Sequence, residues 1–310
     1  MSWFEPSGPQ PLPSHMTLWN QVTIIGVGLV GGSLGLVLKK RGLARRVVGV
    51  GHREPSLQAA RDCGAADETS LDPRAGVAGS DLVVLATPVG KFAEVLRRAV
   101  PALKPGAVVI DVGSTKREVV ALLEPLVRAP GAFVGCHPIA GSEQRGIENA
   151  REDLFRGATC VVTPTDHTPA ETLKRVVATW EGVGMVVRTL SPEVHDRLLA
   201  EVSHLPHVVA SVLVQAVSGE AEPLVGPGWG DTTRVASGAP SLWRDILMSN
   251  ADEVAAAIDR ALGTLAAFRA AISKRDARRI ESLLAQAKQE RDRIVRARET
   301  PGPSEPKRGL

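Results

Sequence analysis

Three glycines, Gly26, Gly28 and Gly31, follow directly on the apolar run at 22–25 and lead into a helix-compatible stretch at 33–40. Gly26 and Gly28 permit a tight turn and close backbone approach to a phosphate, and Gly31 lets the next helix pack against the strand. The helix start at Leu29 and Val30 offers unpaired N–H groups and a partial positive charge to an anion. A strand, this turn and a helix make the first unit of a dinucleotide-binding sheet.

The rest of the first half agrees. Short apolar runs at 47–50, 82–86, 108–111, 133–135, 160–163 and 185–189 alternate with helical stretches. Such runs are strands of a mainly parallel sheet covered on both faces. After Ser191 apolar residues recur at helical spacing, as in Val202, Leu205, Val209, Val212, Leu213 and Ala216. The fold class is therefore α/β, an N-terminal Rossmann-type doubly wound sheet followed by an all-helical C-terminal domain. The expected divisions are a proline-rich disordered tail at 1–19, a dinucleotide-binding domain at 20–190, a helical domain at 191–298 and a second disordered tail at 299–310. A closing stripe of Ile280, Leu283, Leu284, Ala287 and Ile294 reads as a packing face.

Composition excludes several classes. With 37 basic and 34 acidic residues the net charge is +3, which gives no field suited to nucleic acid. No uninterrupted apolar run approaches the roughly 20 residues that span a bilayer, and the N-terminus lacks signal-peptide character, so the expectation is a cytoplasmic protein without membrane attachment. Cys63, Cys136 and Cys160 are too scattered for a disulfide framework or a metal site. The chain has no tyrosine, which removes dehydrogenases that use a Tyr-x-x-x-Lys acid/base pair.

The second strand carries the cofactor signal. An acidic residue there holds the ribose 2′-OH of NAD, but the place is taken by Gly51, followed by His52 and Arg53. A guanidinium suits a 2′-phosphate, so NADP is favoured over NAD, with Glu54 as the residue that would reverse the preference.

Thr87 and Pro88 end the run at 82–86, where ligands bind in such sheets. Two further blocks, Asp111 to Lys116 and His137 to Glu143, also fall at strand ends. His137, held against Pro138, is placed to act as a base, with Ser114 on a neighbouring strand end.

These blocks resemble the prephenate/arogenate dehydrogenase family. The resemblance is carried by Gly26 to Ser33, Asp111 to Lys116, His137 to Gly141, Ser203-His204-Leu205-Pro206-His207, Asp231 to Arg234, and Trp243 to Ile246. It covers residues 20–298 and implies oxidative decarboxylation of prephenate, or of its amino analogue arogenate, in tyrosine biosynthesis. It further implies that His137 accepts the ring hydroxyl proton, that Ser114 orients His137 and the nicotinamide, and that Arg234 holds a substrate carboxylate. Ser203, His204 and His207 would face the substrate side chain, with Ser142 and Glu143 beside the site. His207 as a potential cation ranks prephenate before arogenate.

The resemblance also implies a homodimer through the helical domain. The short stretch after the last helix leaves no room for a C-terminal regulatory domain, so feedback by tyrosine would act at the active site. Blander readings stay open: a helix start at Ser203, a surface pair of Asp231 and Arg234, and a core or interface anchor at Trp243. His195 and Asp196 are candidates only for closing the pocket. A β-hydroxyacid-type dehydrogenase and a non-enzymatic nicotinamide-binding regulator are the competing functions.

Overall fold

The computed structural model describes residues 17–127, 129–141, 144 and 146–299, with side chains as far as 296. Both expected tails fall largely outside these residues, as do Ser142 and Glu143. In chain order the first half runs β1 (Trp19–Ile25), α1 (Leu29–Lys40), β2 (Ala44–Val50), α2 (Glu54–Asp62), β3 (Glu68–Ser70), α3 (Pro73–Val77), β4 (Leu82–Leu85), α4 (Phe92–Ala99), β5 (Val108–Asp111), α5 (Arg117–Leu123), β6 (Ala132–Pro138), β7 (Thr159–Thr163), α6 (Ala170–Val183) and β8 (Val186–Thr189). The helical half continues with α7 (Pro192–Leu199), α8 (Leu205–Gln215), α9 (Pro227–Thr233), α10 (Pro240–Ser249), α11 (Ala251–Ser273) and α12 (Ala277–Glu299).

The sheet order is β3-β2-β1-β4-β5-β6-β7-β8, parallel throughout except where β7 runs against β6. From β1 the chain steps outward to β2 and β3, then crosses back to place β4 on the other side of β1, and this reversal opens a crevice at the carboxyl edge. Each central strand feeds two cores. Ile24, Leu82, Val84, Val108 and Ile110 pack on one face with Trp19, Leu38 and Trp180, whereas Ile25, Val83, Leu85 and Val109 pack on the other with Phe92 and Leu96. Every apolar run read as a strand is one. The strand missed is β3, whose Glu68-Thr69-Ser70 has no apolar signal and pairs only with β2 at the sheet edge.

Helices α7 and α8 form one continuous 24-residue helix, Pro192–Gln215, with a π-turn at Ala200–His204 between them. Pro206 accounts for the widened turn. It has no N–H to give to the carbonyl four residues back, and its ring would clash with that carbonyl in a regular α-helix. Ser203 is thus mid-helix rather than a cap, and α8 has no side-chain cap bond. By length and composition alone this helix is apolar enough to cross a membrane. His204 and His207 are buried within it.

The chain divides into two compact units, residues 1–254 and 255–310. The second holds the later part of α11 and α12, joined by a short turn. Arg275 makes that turn with φ 53°, and the Asp276 carboxylate caps α12 by accepting the Arg279 N–H at 3.0 Å. Leu262, Leu265, Ile272, Leu284 and Ile294 are exposed on this unit.

Candidate active site

The turn between β1 and α1 distinguishes its glycines by what surrounds them. Gly26 has φ +111°, and a Cβ there would lie 2.5 Å from the Ala86 carbonyl oxygen. A Cβ on Gly31 would lie 2.0 Å from the Gly26 carbonyl oxygen. A Cβ on Gly28 would meet nothing within 4 Å. Gly26 and Gly31 are therefore fixed by packing, while Gly28 borders open space at the α1 N-terminus. That helix has no side-chain cap bond, and its first bonded N–H is that of Gly32, to Gly28. The N–H groups of Leu29, Val30 and Gly31 remain for an anion. Nearby at the end of β4, the buried Thr87 hydroxyl has no partner. An open glycine, free helix donors and an orphaned hydroxyl at one sheet edge fit a dinucleotide.

At the end of β2, His52 and Arg53 are exposed, Arg53 as the extended residue before α2. Glu54 is exposed as well and pairs with Arg61 at 3.4 Å.

The next layer is built on β5 and β6. Asp111 and Lys116 form an ion pair with neither side chain exposed. Asp111 also accepts the N–H of Gly113 at 2.8 Å and that of Cys136 at 3.0 Å, which ties the turn after β5 to the strand that carries His137. Cys136 points into the core, and burial with the Asp111 charge raises its thiol far above the usual range. His137 is half-buried on the other side of the strand, opposite Val161.

His137 Nδ1 lies 2.9 Å from His195 Nε2, and His195 Nδ1 lies 2.7 Å from Asp196 Oδ1. Asp196 is itself fixed, accepting the N–H of Lys116 at 2.7 Å and that of Arg117 at 2.9 Å. A carboxylate can only accept, so His195 Nδ1 carries hydrogen, its Nε2 accepts from His137 Nδ1–H, and His137 Nε2 keeps a lone pair. Burial lowers both imidazole pKa values, with Lys116 contributing in each case, so both rings are neutral. The expected orienting residue, Ser114, makes no hydrogen bond among the described residues. The partner of the His137 ring is instead His195, 58 positions along the chain at the start of the long helix. Sequence reasoning passed over it because the contact is tertiary; the only local signal was an adjacent His-Asp pair one turn into a helix.

A second group lies on the same helix. The Asn250 side-chain N–H₂ donates to the Asp196 carbonyl at 2.8 Å and faces His204 Nδ1 at 3.2 Å. That arrangement leaves hydrogen on His204 Nε2, a buried atom without a partner. Burial depresses the His204 pKa to about 4. His207 stacks on Trp243 with ring centroids 3.5 Å apart, and its Nδ1 is also buried without a partner. Burial lowers its pKa too, which favours the neutral ring over the cation expected there. Trp243, read as a core or interface anchor, is half-buried and orients that ring. Ser203 is half-buried in the π-turn, and Arg234 is exposed at the start of the turn after α9. No cluster of three or more His, Cys, Asp or Glu side chains suited to a metal ion occurs among the described residues.

A dinucleotide cradle and a neutral imidazole base at one edge of a doubly wound sheet define a nicotinamide-dependent dehydrogenase. Comparison narrows the class. Residues 34–189 match the family model described as prephenate dehydrogenase, nucleotide-binding domain, and residues 191–286 match that of the prephenate dehydrogenase dimerization domain. The prephenate dehydrogenase of Bacillus subtilis is 32% identical over 278 residues, 87% of this chain and 75% of the relative. A crystal structure of A. aeolicus prephenate dehydrogenase with hydroxyphenyl propionate and NAD+ superposes with TM-score 0.82 at 34% identity, covering 89% of this chain and 98% of that one. Synechocystis arogenate dehydrogenase gives TM-score 0.77 at 29% identity, over 88% and 99% of the two chains. The chain belongs to the prephenate dehydrogenase family.

Proposed function

We propose that this protein oxidises prephenate to 4-hydroxyphenylpyruvate with loss of carbon dioxide, using a bound nicotinamide dinucleotide. The observation that carries the reading is the lone pair left on His137 Nε2 at the carboxyl edge of the sheet. His137 takes the proton of the ring hydroxyl while hydride leaves the same carbon. The nicotinamide, when bound, accepts that hydride. Across the ring, the carboxylate-bearing carbon loses carbon dioxide, and aromatisation drives the step, so the chain needs to supply only a base and clamps.

Arg234 is the clamp for a substrate carboxylate, a planar anion that a guanidinium matches with two parallel hydrogen bonds. His204 Nε2–H is a preset donor aimed at the substrate side chain, with Ser203 and His207 beside it. Ser142 and Glu143 keep their place in the reading on the resemblance alone. Ser114 orients the nicotinamide. Gly26, Gly28, Leu29, Val30, Gly31, Thr87 and Pro88 form the cradle, and Arg53 with His52 favours NADP over NAD. Residues 20–190 are the dinucleotide-binding domain and 191–298 the substrate and dimerisation domain. The exposed apolar residues of the helical half, among them Val202, Val212 and Met248, support a homodimer.

Arogenate is the second reading. A neutral His207 with an unpartnered Nδ1 can accept from an ammonium, which prephenate lacks. Assays of the purified chain with prephenate and arogenate, each with NAD and NADP, decide the matter. Turnover with prephenate supports the proposal, and turnover with arogenate alone replaces it.

A further inference from the structure

We infer that His195 and Asp196 are positioning residues for the reaction, forming a two-imidazole relay that fixes the tautomer of His137 and stabilises the positive charge it acquires. The inference rests on His137 being the base, and it assigns the groups that make it one.

The geometry carries the argument. An isolated neutral histidine divides its proton between two nitrogens, and a base whose proton sits on the nitrogen facing substrate is inactive. Here the order is set from the far end. Two backbone N–H groups at the start of α5 hold the Asp196 carboxylate, at 2.7 and 2.9 Å. That carboxylate fixes hydrogen on His195 Nδ1, and His195 Nε2 in turn fixes hydrogen on His137 Nδ1. All members except His137 are fully buried, so water does not compete for these bonds. Asn250 adds a fourth bond by donating to the main chain of Asp196.

The arrangement also answers a charge problem. When the substrate hydroxyl gives its proton to His137 Nε2, a cation forms close to the buried Lys116, a group that disfavours it. The Nδ1–H of the new imidazolium points at His195, whose other nitrogen donates to the Asp196 anion. The charge is thereby spread toward a carboxylate without any atom moving far. The titratable and charged groups around the pair are Asp196, Lys116 with its partner Asp111, and His204.

Two measurements test this. The first is ¹⁵N NMR of the histidine rings in the wild-type chain without substrate, with His137→Asn to assign the His137 signals. The relay predicts hydrogen on Nδ1 of His137 and a bare Nε2; hydrogen on Nε2 overturns it. The second is the His195→Leu variant, which removes the acceptor while keeping an apolar core. The relay predicts a kcat loss of about 100-fold or more with KM for prephenate within threefold. A variant retaining kcat within threefold of wild type overturns the proposal. The NMR result needs no turnover, so a wild-type chain inactive on prephenate would remove the proposed substrate and leave the relay standing.

Discussion

Lys116 and Asp111 neutralise each other with neither side chain reaching solvent, and Asp111 accepts main-chain N–H groups from both Gly113 and Cys136. The pair therefore holds the turn after β5 against the strand that presents His137. Lys116→Met leaves a buried carboxylate with two donors and no counter-charge. Breaking a buried pair in this way costs about 3–5 kcal/mol. Urea denaturation of the variant reads that loss, and a change below about 1 kcal/mol would show that the pair is not what secures the turn.

The glycine turn gives a paired prediction. Gly31→Ala places a methyl 2.0 Å from the Gly26 carbonyl oxygen and lowers thermal stability by several degrees. Gly28→Ala adds its methyl to open space at an ordinary φ of −90°, so the melting temperature stays within about 2 °C while cofactor affinity falls at least tenfold. Calorimetry and a dinucleotide titration measure the two effects. Unchanged affinity in Gly28→Ala would place the pyrophosphate elsewhere.

His204 ties stability to pH. Its folded pKa of about 4 lies below the ordinary 6.5, so between these values the unfolded chain takes up a proton that the folded chain refuses. Its contribution is complete above pH 6.5 and is lost as pH falls toward 4. From pH 7 to pH 5 the wild type should lose on the order of 2 kcal/mol more than His204→Gln, measured by urea denaturation at both pH values. Equal losses would mean that His204 is protonated in the folded state.

The same burial acts on the base. Because the His137 pKa is lowered, the ring stays neutral as pH drops through 6.5, and the acidic limb of kcat/KM lies below that value. A pH–rate profile with its acidic limb above 6.5 would assign the limb to another group.

The proposed preference for NADP turns on Arg53. Arg53→Ala should cut kcat/KM with NADP at least tenfold and leave NAD nearly unchanged. A loss confined to NAD would reverse the reading of the second strand.

The sheet was legible because each buried strand is a continuous apolar run, and the glycine spacing located the crevice. What escaped depends on distance in space. Edge strand β3 has no apolar residue to announce it. The π-turn is caused by Pro206, whose presence suggested a helix start when only its neighbours in sequence were considered. His137, Ser114 and Arg234 could be named from their blocks, but His137 finds its partner 58 positions along the chain, in His195. Nor could spacing show that burial lowers the His207 pKa.

The central claim is that His137 Nε2 takes the substrate proton. Turnover of prephenate by His137→Asn, set beside its cofactor affinity, tests it most directly. The account predicts cofactor binding within a few-fold of wild type and kcat reduced by about 10³ or more. Wild-type kcat in that variant would contradict it.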